Sequence, residues 1–336
     1  MTTMKDVAVL AGTSAKTVSR VFNDDPHVSP EMKQRVEAAL RQLNYVPNSV
    51  ATTFRTGRSP VIGVVVPDLM DPFFASIAQA AETLADAHGM SVVITSLGDP
   101  AREPQAVQSL LRHALSGLVI APTTAEQGYL QPWVDRTHVV FVDRQPVGVV
   151  ADSFTEDDVA GAHLATEHLL AHGHTRIGFL GDDLDIPTTR DRLKGYETAL
   201  REAGVEVADG LVVLGAIDRV SGAEAFARLD QAGPTALFCS NARTAMSLAP
   251  WLRDSGLAVA SFGDFPLADM LTPSLTVIDQ DPFQLGTLAA QRIVDRIAKP
   301  GRRYRRRTVL PLELVERESC RVASRLERRP LRAVAD

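Results

Sequence analysis

Residues 3–22 read TMKDVAVLAGTSAKTVSRVF, and this stretch decides the fold of the N-terminal part of the chain. Thr3 can cap a first helix, and Gly12 can end it. Ser14 can cap a second helix, which we expect to extend to about Phe22. Because apolar residues recur on one face of each segment, the pattern predicts two short amphipathic helices joined by a tight turn.

A third helix follows a polar loop. Ser29, Pro30 and Glu31 provide an N-cap, a proline at the first helical position and an acid in the first turn, so we expect a helix that extends to about Leu43. Three short helices with a glycine-containing turn between the first two are typical of a helix-turn-helix fold. We therefore interpret residues 1–47 as a helix-turn-helix head.

The outward face of the second predicted helix carries two cations, Lys16 and Arg20. In a helix-turn-helix fold the second helix enters the major groove of DNA, where such side chains reach guanine acceptors or phosphates. Residues 1–60 have a net charge of +3 and the rest of the chain −9, an asymmetry expected when one module approaches phosphates. An ordinary three-helix bundle with solvated cations would show the same pattern.

Residues 48–60 contain one large apolar residue, Phe54, which two cations follow, Arg55 and Arg58. A segment of this length cannot bury Phe54 internally. A marginal helix that forms on DNA and inserts Phe54 into a base step of the minor groove would account for it. The alternative is a linker whose Phe54 rests on a neighbouring domain.

Short apolar runs alternate with helical stretches from Pro60 onward. The strand-sized runs are residues 61–67, 91–96, 118–121, 139–142, 176–180, 211–214, 235–240 and 258–262, and a further edge strand is expected over 308–314. Strands separated by helices predict parallel sheets with right-handed crossovers. Because there are more strands than one such sheet usually holds, we expect an α/β body of two lobes, each built on a doubly wound parallel sheet.

Several sequence motifs resemble those of one family, the lactose-repressor/galactose-repressor (LacI/GalR) transcriptional regulators. Residues 3–74 resemble the head, hinge and first strand of that family. The similarity continues through HLLAHGHTRIGFLG (168–181), RLKGYETALREAG (192–204), PLADMLTPSLTVIDQD (266–281) and VLPLELVERES (309–319). It extends to about residue 320.

The resemblance implies a domain organisation and a set of DNA contacts. The expected domains are a head of residues 1–47, a hinge helix and linker of residues 48–60, and a body of residues 61–336 like that of periplasmic binding proteins, with lobe 1 at about 61–159 and 284–319 and lobe 2 at about 160–283 and 320–336. The DNA contacts are expected from Thr3, Ser14, Ala15, Lys16, Thr17, Arg20, Asn23, Asn48, Ala51, Phe54 and Arg55.

The resemblance also implies an effector between the lobes, at the carboxyl ends of the parallel strands. Its expected contacts are Phe73, Phe74, Asp143, Arg192, Asn241 and Gln280. Two positions depart from the family, since Gly263 stands where many members have a carboxylate and Ala242 where an aspartate is usual. The missing carboxylate argues against a simple neutral pyranose. The arginines in neighbouring motifs could bind an acidic or phosphorylated sugar. Alternatively, they are ordinary surface arginines.

We interpret the chain as a sequence-specific DNA-binding transcriptional regulator, a repressor of carbohydrate-metabolism genes that responds to a small sugar-like effector. The expected partners are a pseudo-palindromic double-stranded DNA operator, the effector and a second copy of the chain. A second copy is expected because two heads bound to a palindrome multiply the preference for the operator over other DNA. The alternatives are a sugar-binding sensor or solute-binding protein without a DNA role, and a regulator that answers to a non-sugar effector such as a nucleobase. The N-terminal sequence is unlike a secretory signal and no apolar run reaches membrane-spanning length, so a cytoplasmic location without a membrane partner is expected.

Enzyme and metal motifs are missing from the sequence. It contains no phosphate loop, nucleophile elbow or H-E-x-x-H motif, so neither an enzyme nor a cofactor is expected. His168 and His172 have a spacing compatible with a metal, but their segment is also typical of a helix end before Gly173, and no metal is expected. The two distant cysteines, Cys239 and Cys320, indicate no disulfide framework.

Overall fold

Three helices form the N-terminal unit of the chain, which is divided from the rest after Ser59. The computed structural model describes residues 2–22, 25–45 and 59–321. The three helices are α1 (Met4–Leu10), α2 (Ala15–Phe22) and α3 (Pro30–Gln42), and they lie where the sequence predicts them. The expected hinge, residues 48–60, lies outside the described residues except for its last two positions.

Hydroxyl side chains cap these helices. Thr3 forms a capping box with Asp6 at the start of α1. The Ser14 Oγ accepts a hydrogen bond from the Thr17 N–H at 3.1 Å, which satisfies one free donor of α2. A core of buried apolar side chains then holds the three helices together: Val7, Ala8, Ala11, Val18, Val21, Val36 and Ala39.

Strands and helices alternate through residues 59–321. The strands are β1 (Ser59–Val66), β2 (Ser91–Ser96), β3 (Leu115–Ile120), β4 (His138–Val142), β5 (Asp152–Glu156), β6 (Ile177–Gly181), β7 (Val212–Leu214), β8 (Ala236–Cys239), β9 (Ala258–Phe262), β10 (Thr276–Asp279), β11 (Arg307–Leu310) and β12 (Glu313–Val315). The helices are α4 (Pro72–Ala87), α5 (Glu103–Leu111), α6 (Asp158–Ala171), α7 (Pro187–Glu202), α8 (Arg219–Ala232), α9 (Ala242–Ser255) and α10 (Pro282–Ala298).

These strands form two six-stranded sheets, which define lobe 1 and lobe 2. The strand order is β11-β5-β4-β3-β1-β2 in lobe 1 and β12-β10-β9-β8-β6-β7 in lobe 2. The strands of each sheet pair in a predominantly parallel manner, and β12 is antiparallel to β10. The α/β class with two parallel-dominated sheets is thereby confirmed. Of the helices that the structure describes, none has the length and apolar character needed to cross a bilayer.

The chain passes between the lobes three times: from β5 into α6, from β10 into α10, and from β11 to β12. The edge strand expected over 308–314 is therefore wrong, because this segment forms two strands that belong to different sheets. Pro311 lies between them and has no N–H to donate to a ladder, so the strand cannot continue through it. The sequence also missed β5, whose residues are mostly polar, and β10, which has only four residues.

Close helix packing in lobe 2 depends on Gly195 of α7. A Cβ atom there would lie 2.3 Å from the Val159 carbonyl oxygen of α6, so only glycine allows the two helices to approach this closely. The approach places Arg192, one turn earlier on α7, against the start of α6. This contact is central to the site described next.

Candidate functional site

Polar side chains from both lobes face each other across a cleft. The Arg243 Nη2 of lobe 2 lies 3.9 Å from the Asp68 Oδ2 of lobe 1. Side chains of both lobes, among them Asp71 and Ser247, line a cavity of about 260 Å³ at this place. The residues that follow the strands of two sheets therefore meet in one cleft, as expected for a two-lobed α/β fold.

Phe73 and Phe74 lie in the first turn of α4, at the lobe 1 side of the cleft. Their rings contact each other edge to face with 5.1 Å between the centroids, and both belong to the apolar core of lobe 1. The N-cap of the same helix is Asp71, whose Oδ1 accepts a hydrogen bond from the Phe73 N–H at 3.0 Å. Burial raises the pKa of Asp71 to about 6, although this hydrogen bond opposes the shift.

Asp143 follows β4 and is buried with a backbone φ of +66°. Its neighbour Arg144 lies 3.1 Å away, measured from the Arg144 Nε to the Asp143 Oδ2. The Arg144 Nη1 also donates a hydrogen bond to the Pro122 carbonyl oxygen at 2.6 Å. Arg144 therefore has partners within lobe 1, although its buried Nε makes no hydrogen bond among the described residues.

Arg192 is 5% exposed and is held by three contacts. Its Nε donates to the Asp158 Oδ1 at 2.7 Å, and its Nη1 donates to the Ser240 carbonyl oxygen at 2.7 Å. The guanidinium carbon lies 3.8 Å from the centroid of the Phe262 ring. Burial raises the pKa of Asp158 to about 6, although Arg192 lowers it. Arg192 thus forms a buried ion pair at the base of the cleft.

Glu156, the last residue of β5, is a site residue that the sequence analysis missed. Both of its carboxylate oxygens are buried, and neither has a hydrogen-bond partner among the described residues. Burial, with Asp143 and Asp158 nearby, raises the pKa of Glu156 well above its ordinary range. No signal in the sequence marked it, because β5, which Glu156 ends, is mostly polar and has no strand-like apolar pattern. A buried polar group without a partner is a candidate for a hydrogen bond to a ligand.

Gln280 and Gly263 lie beside each other in lobe 2. The Gln280 Nε2 is buried and has no hydrogen-bond partner among the described residues. Gly263 has a φ of +82°, and a Cβ atom on it would lie 3.0 Å from the Gln280 Oε1. The glycine that departs from the family therefore leaves room for the Gln280 amide. The next residue, Asp264, forms an ion pair with Arg317.

Asn241 caps α9, where its Oδ1 accepts a hydrogen bond from the Thr244 N–H at 2.8 Å. Its Nδ2 donates to the Asp182 Oδ1 at 2.7 Å. Both polar atoms of the Asn241 amide thus have hydrogen-bond partners within lobe 2. Although burial opposes the shift, the charges of Asp158 and Asp143 raise the pKa of Arg192. Of the expected effector contacts, Asp143 and Arg192 are therefore close to each other, while Phe73 and Phe74 pack mainly into the lobe 1 core.

The expected DNA contacts that the structure describes lie on α2 or at the N-terminal ends of α1 and α2. Lys16 and Arg20 are exposed on α2, and the Arg20 Nε lies 3.5 Å from the Asp25 Oδ2. Ser14 and Thr17 share a hydrogen bond between hydroxyl groups at 3.0 Å. Ala15 is half-buried and Thr3 is exposed. The remaining expected contacts lie outside the described residues: Asn23, Asn48, Ala51, Phe54 and Arg55.

Comparison with known proteins decides the family. A model of bacterial regulatory proteins of the lacI family matches residues 3–48, and a model of periplasmic binding protein-like domains matches residues 166–320. The ribose operon repressor of Escherichia coli K12 is 32% identical over 330 residues, which cover 95% of this chain and 100% of the relative. The chain belongs to the lacI family.

Two further similarities agree with this assignment. The transcriptional regulator GalR of Escherichia coli K12 is 34% identical to this lacI-family protein over 301 residues, 87% of this chain and 88% of the relative. A crystal structure of the Lac repressor dimer bound to operator and the anti-inducer ONPF matches with a TM-score of 0.82 and 29% identity, over 95% of this chain and 99% of that chain. The relatives are transcriptional regulators, and the chain is a regulator of the same family.

Proposed function

We propose that this lacI-family protein is a repressor of a sugar-metabolism operon, binds operator DNA through residues 1–58, and responds to a small sugar bound between its lobes. In this proposal it acts in the cytoplasm as a homodimer and has no enzymatic activity. The similarity to the ribose operon repressor and to the Lac repressor dimer on its operator supports the DNA target and the dimer. A dimer presents two heads, as a palindromic operator requires.

The observation that carries the effector assignment is that two buried groups, the Glu156 carboxyl and the Gln280 amide nitrogen, have no hydrogen-bond partner among the described residues. Glu156 lies close to Asp143 and Arg192, two of the expected effector contacts. Hydroxyl groups of a sugar can donate to a carboxyl oxygen and accept from an amide, so a polyol would satisfy both. The Glu156 carboxyl supplies a hydrogen-bond acceptor, which Gly263 does not supply at the position where many family members have a carboxylate.

An acidic or phosphorylated sugar is disfavoured because the nearby arginines have internal partners. Arg192 pairs with Asp158, Arg144 donates to Pro122, and Arg243 donates from its Nε to the Ile217 carbonyl oxygen at 2.9 Å. Carboxylates of both lobes, including Asp71, Asp143 and Asp182, would repel an anion. We therefore propose an uncharged sugar, for which ribose is the first candidate to test.

Sequence recognition is proposed to rest on Lys16 and Arg20 of α2. Arg20 would exchange its exposed contact with Asp25 for a contact with a base edge. Such a contact stabilises the complex with the correct DNA sequence by about 1–3 kcal/mol relative to other sequences. The phosphate contacts of the other head residues would stabilise complexes with all DNA sequences alike.

The test begins with selection of the DNA sequence that the full chain binds, followed by fluorescence anisotropy on that operator with and without a panel of neutral and phosphorylated sugars. We expect one neutral sugar to change operator affinity, and Arg20→Ala to weaken operator binding more than binding to random DNA. Arg41→Ala, an exposed cation on α3, is the control. No selected sequence, or equal losses on both DNAs, would contradict the proposed recognition; a response to phosphorylated sugars alone would contradict the effector class.

A further inference from the structure

A cluster of three potential ligand side chains lies far from the cleft, at the other end of α6. His168 and His172 lie one turn apart on this helix segment, and Glu316 follows β12. One ligand atom from each of the three lies within 4.8 Å of the others. Asp158, at the start of α6, is ten residues from His168, or about 15 Å along the helix.

The orientation of the His172 ring is fixed by its own helix. Its Nδ1 lies 2.9 Å from the His168 carbonyl oxygen. A carbonyl oxygen only accepts, so the Nδ1 carries the proton and the Nε2 keeps its lone pair. This Nε2 lies 4.0 Å from the Glu316 Oε1. A histidine that donates one ring N–H to a backbone carbonyl and keeps the other nitrogen free has the orientation found in protein metal ligands.

His168 supplies the second imidazole. Its Nε2 is buried and has no hydrogen-bond partner among the described residues. The two imidazole rings contact each other, with 4.5 Å between their centroids.

The elements that carry the three side chains are already held together by packing. Leu169 of α6 is fully buried in the same apolar cluster that Leu312 and Leu314 contact from the segment around β12. The ligand atoms need to move by only about 1 Å each to reach the separation of about 3.3 Å that tetrahedral Zn²⁺ requires. The packed core therefore preforms the cluster.

We infer that His168, His172 and Glu316 bind a divalent transition-metal ion, of which Zn²⁺ is the first candidate. Two imidazoles and one carboxylate match the ligand preference of Zn²⁺, and water can fill the fourth position. Hard cations such as Mg²⁺ prefer oxygen ligands and do not fit this set. The ion would join α6 to the segment after β12 and stabilise lobe 2. It would not compete with an effector, because the cluster lies at the opposite end of α6 from the cleft.

The experiment uses the full chain without an affinity tag, dialysed against EDTA and then titrated with ZnCl₂ by calorimetry in a buffer that does not chelate. We expect one Zn²⁺ per chain and an increase in Tm of several degrees. His172→Ala should weaken binding more than about tenfold, and Glu316→Gln should weaken it less. His113→Ala is the matched control, since His113 is exposed and belongs to no such cluster within the part of the chain that the structure describes.

Absorption of the Co²⁺-loaded protein in the visible range provides a second readout, because intense d–d bands indicate tetrahedral coordination by this ligand set. These bands should be lost in His172→Ala while circular dichroism shows an intact fold. Absence of Zn²⁺ binding to the original chain, or equal affinity in His172→Ala, would overturn the assignment. The His163 Nε2 and the Glu202 Oε2 form a separate pair, 2.8 Å apart. Loss of Zn²⁺ binding in His163→Ala, and not in His172→Ala, would place the ion at that pair and would also overturn the assignment.

Discussion

Replacement of Arg192 by methionine is expected to destabilise the body of the protein strongly. The substitution keeps an unbranched side chain but removes the ion pair to Asp158, the hydrogen bond to Ser240 and the contact of the guanidinium with the Phe262 ring. It also leaves the Asp158 carboxyl buried without its partner. Because removal of one member of a buried ion pair costs about 3–5 kcal/mol, we expect a loss of that size in the free energy of unfolding.

The assay is urea denaturation followed by circular dichroism and by tryptophan fluorescence. Trp133 lies in lobe 1 and Trp251 in lobe 2, so both lobes are reported. The expected loss corresponds to a decrease in Tm of roughly 6–20 °C. Arg190→Met is the control on the same helix; Arg190 is exposed, and the substitution should cost less than about 1 kcal/mol.

A double variant separates the ion pair from general packing. In Arg192→Met with Asp158→Asn the carboxylate that lost its partner is also removed, so we expect about 1–3 kcal/mol of the loss to be recovered. A cost of less than about 1 kcal/mol for Arg192→Met alone, or strictly additive losses in the double variant, would refute the reasoning. Under either outcome, the affinity of the variants for the effector tests separately whether Arg192 also contacts the ligand.

Two further substitutions test the cleft. Asp71→Asn keeps an N-cap but removes a charge that burial disfavours. The pKa of Asp71 in the folded state is raised to about 6. The Asp71 carboxyl therefore contributes folding stability that is present below about pH 4 and is lost as the pH rises through 6. Urea titrations should therefore show the variant about 1–3 kcal/mol more stable than the original chain at pH 7.5 and little different at pH 4, whereas an equal gain at both pH values would contradict the shift. Gly263→Ala should cost about 1–2 kcal/mol because of its positive φ and should also weaken effector binding by displacing Gln280. Gly204→Ala, at a φ of +70° in open space, should show the destabilisation alone, and unchanged effector binding in Gly263→Ala would exclude Gln280 as a contact.

The head could be predicted almost completely from the sequence because its signals are local. Thr3, Ser14 and Ser29 each cap a helix, and the apolar residues behind them form the small core. The two-sheet body was predictable for a similar reason, since buried parallel strands such as Val139–Val142 appear as continuous apolar runs.

The cleft was less predictable because its decisive side chains depend on contacts between distant residues. Glu156 and Asp158 lie in a polar stretch that has no strand-like pattern, yet β5 is buried at every position between its neighbours β4 and β11. Arg192 was found through its motif, but its partner Asp158 is 34 residues away in the sequence. The split of residues 307–315 into two strands also follows from long-range pairing, which no local pattern reports.

That split has a consequence for how the protein is made. Residues 307–315 supply the edge strand β11 to one sheet and the edge strand β12 to the other. On the ribosome, neither sheet can be completed until this short segment has emerged, although most of both lobes has been synthesised by then. A chain interrupted just before Arg307 would leave β5 and β10 each with an unpaired edge, and such edges are templates for aggregation. A product truncated at this point would therefore lack an edge strand in both lobes at once.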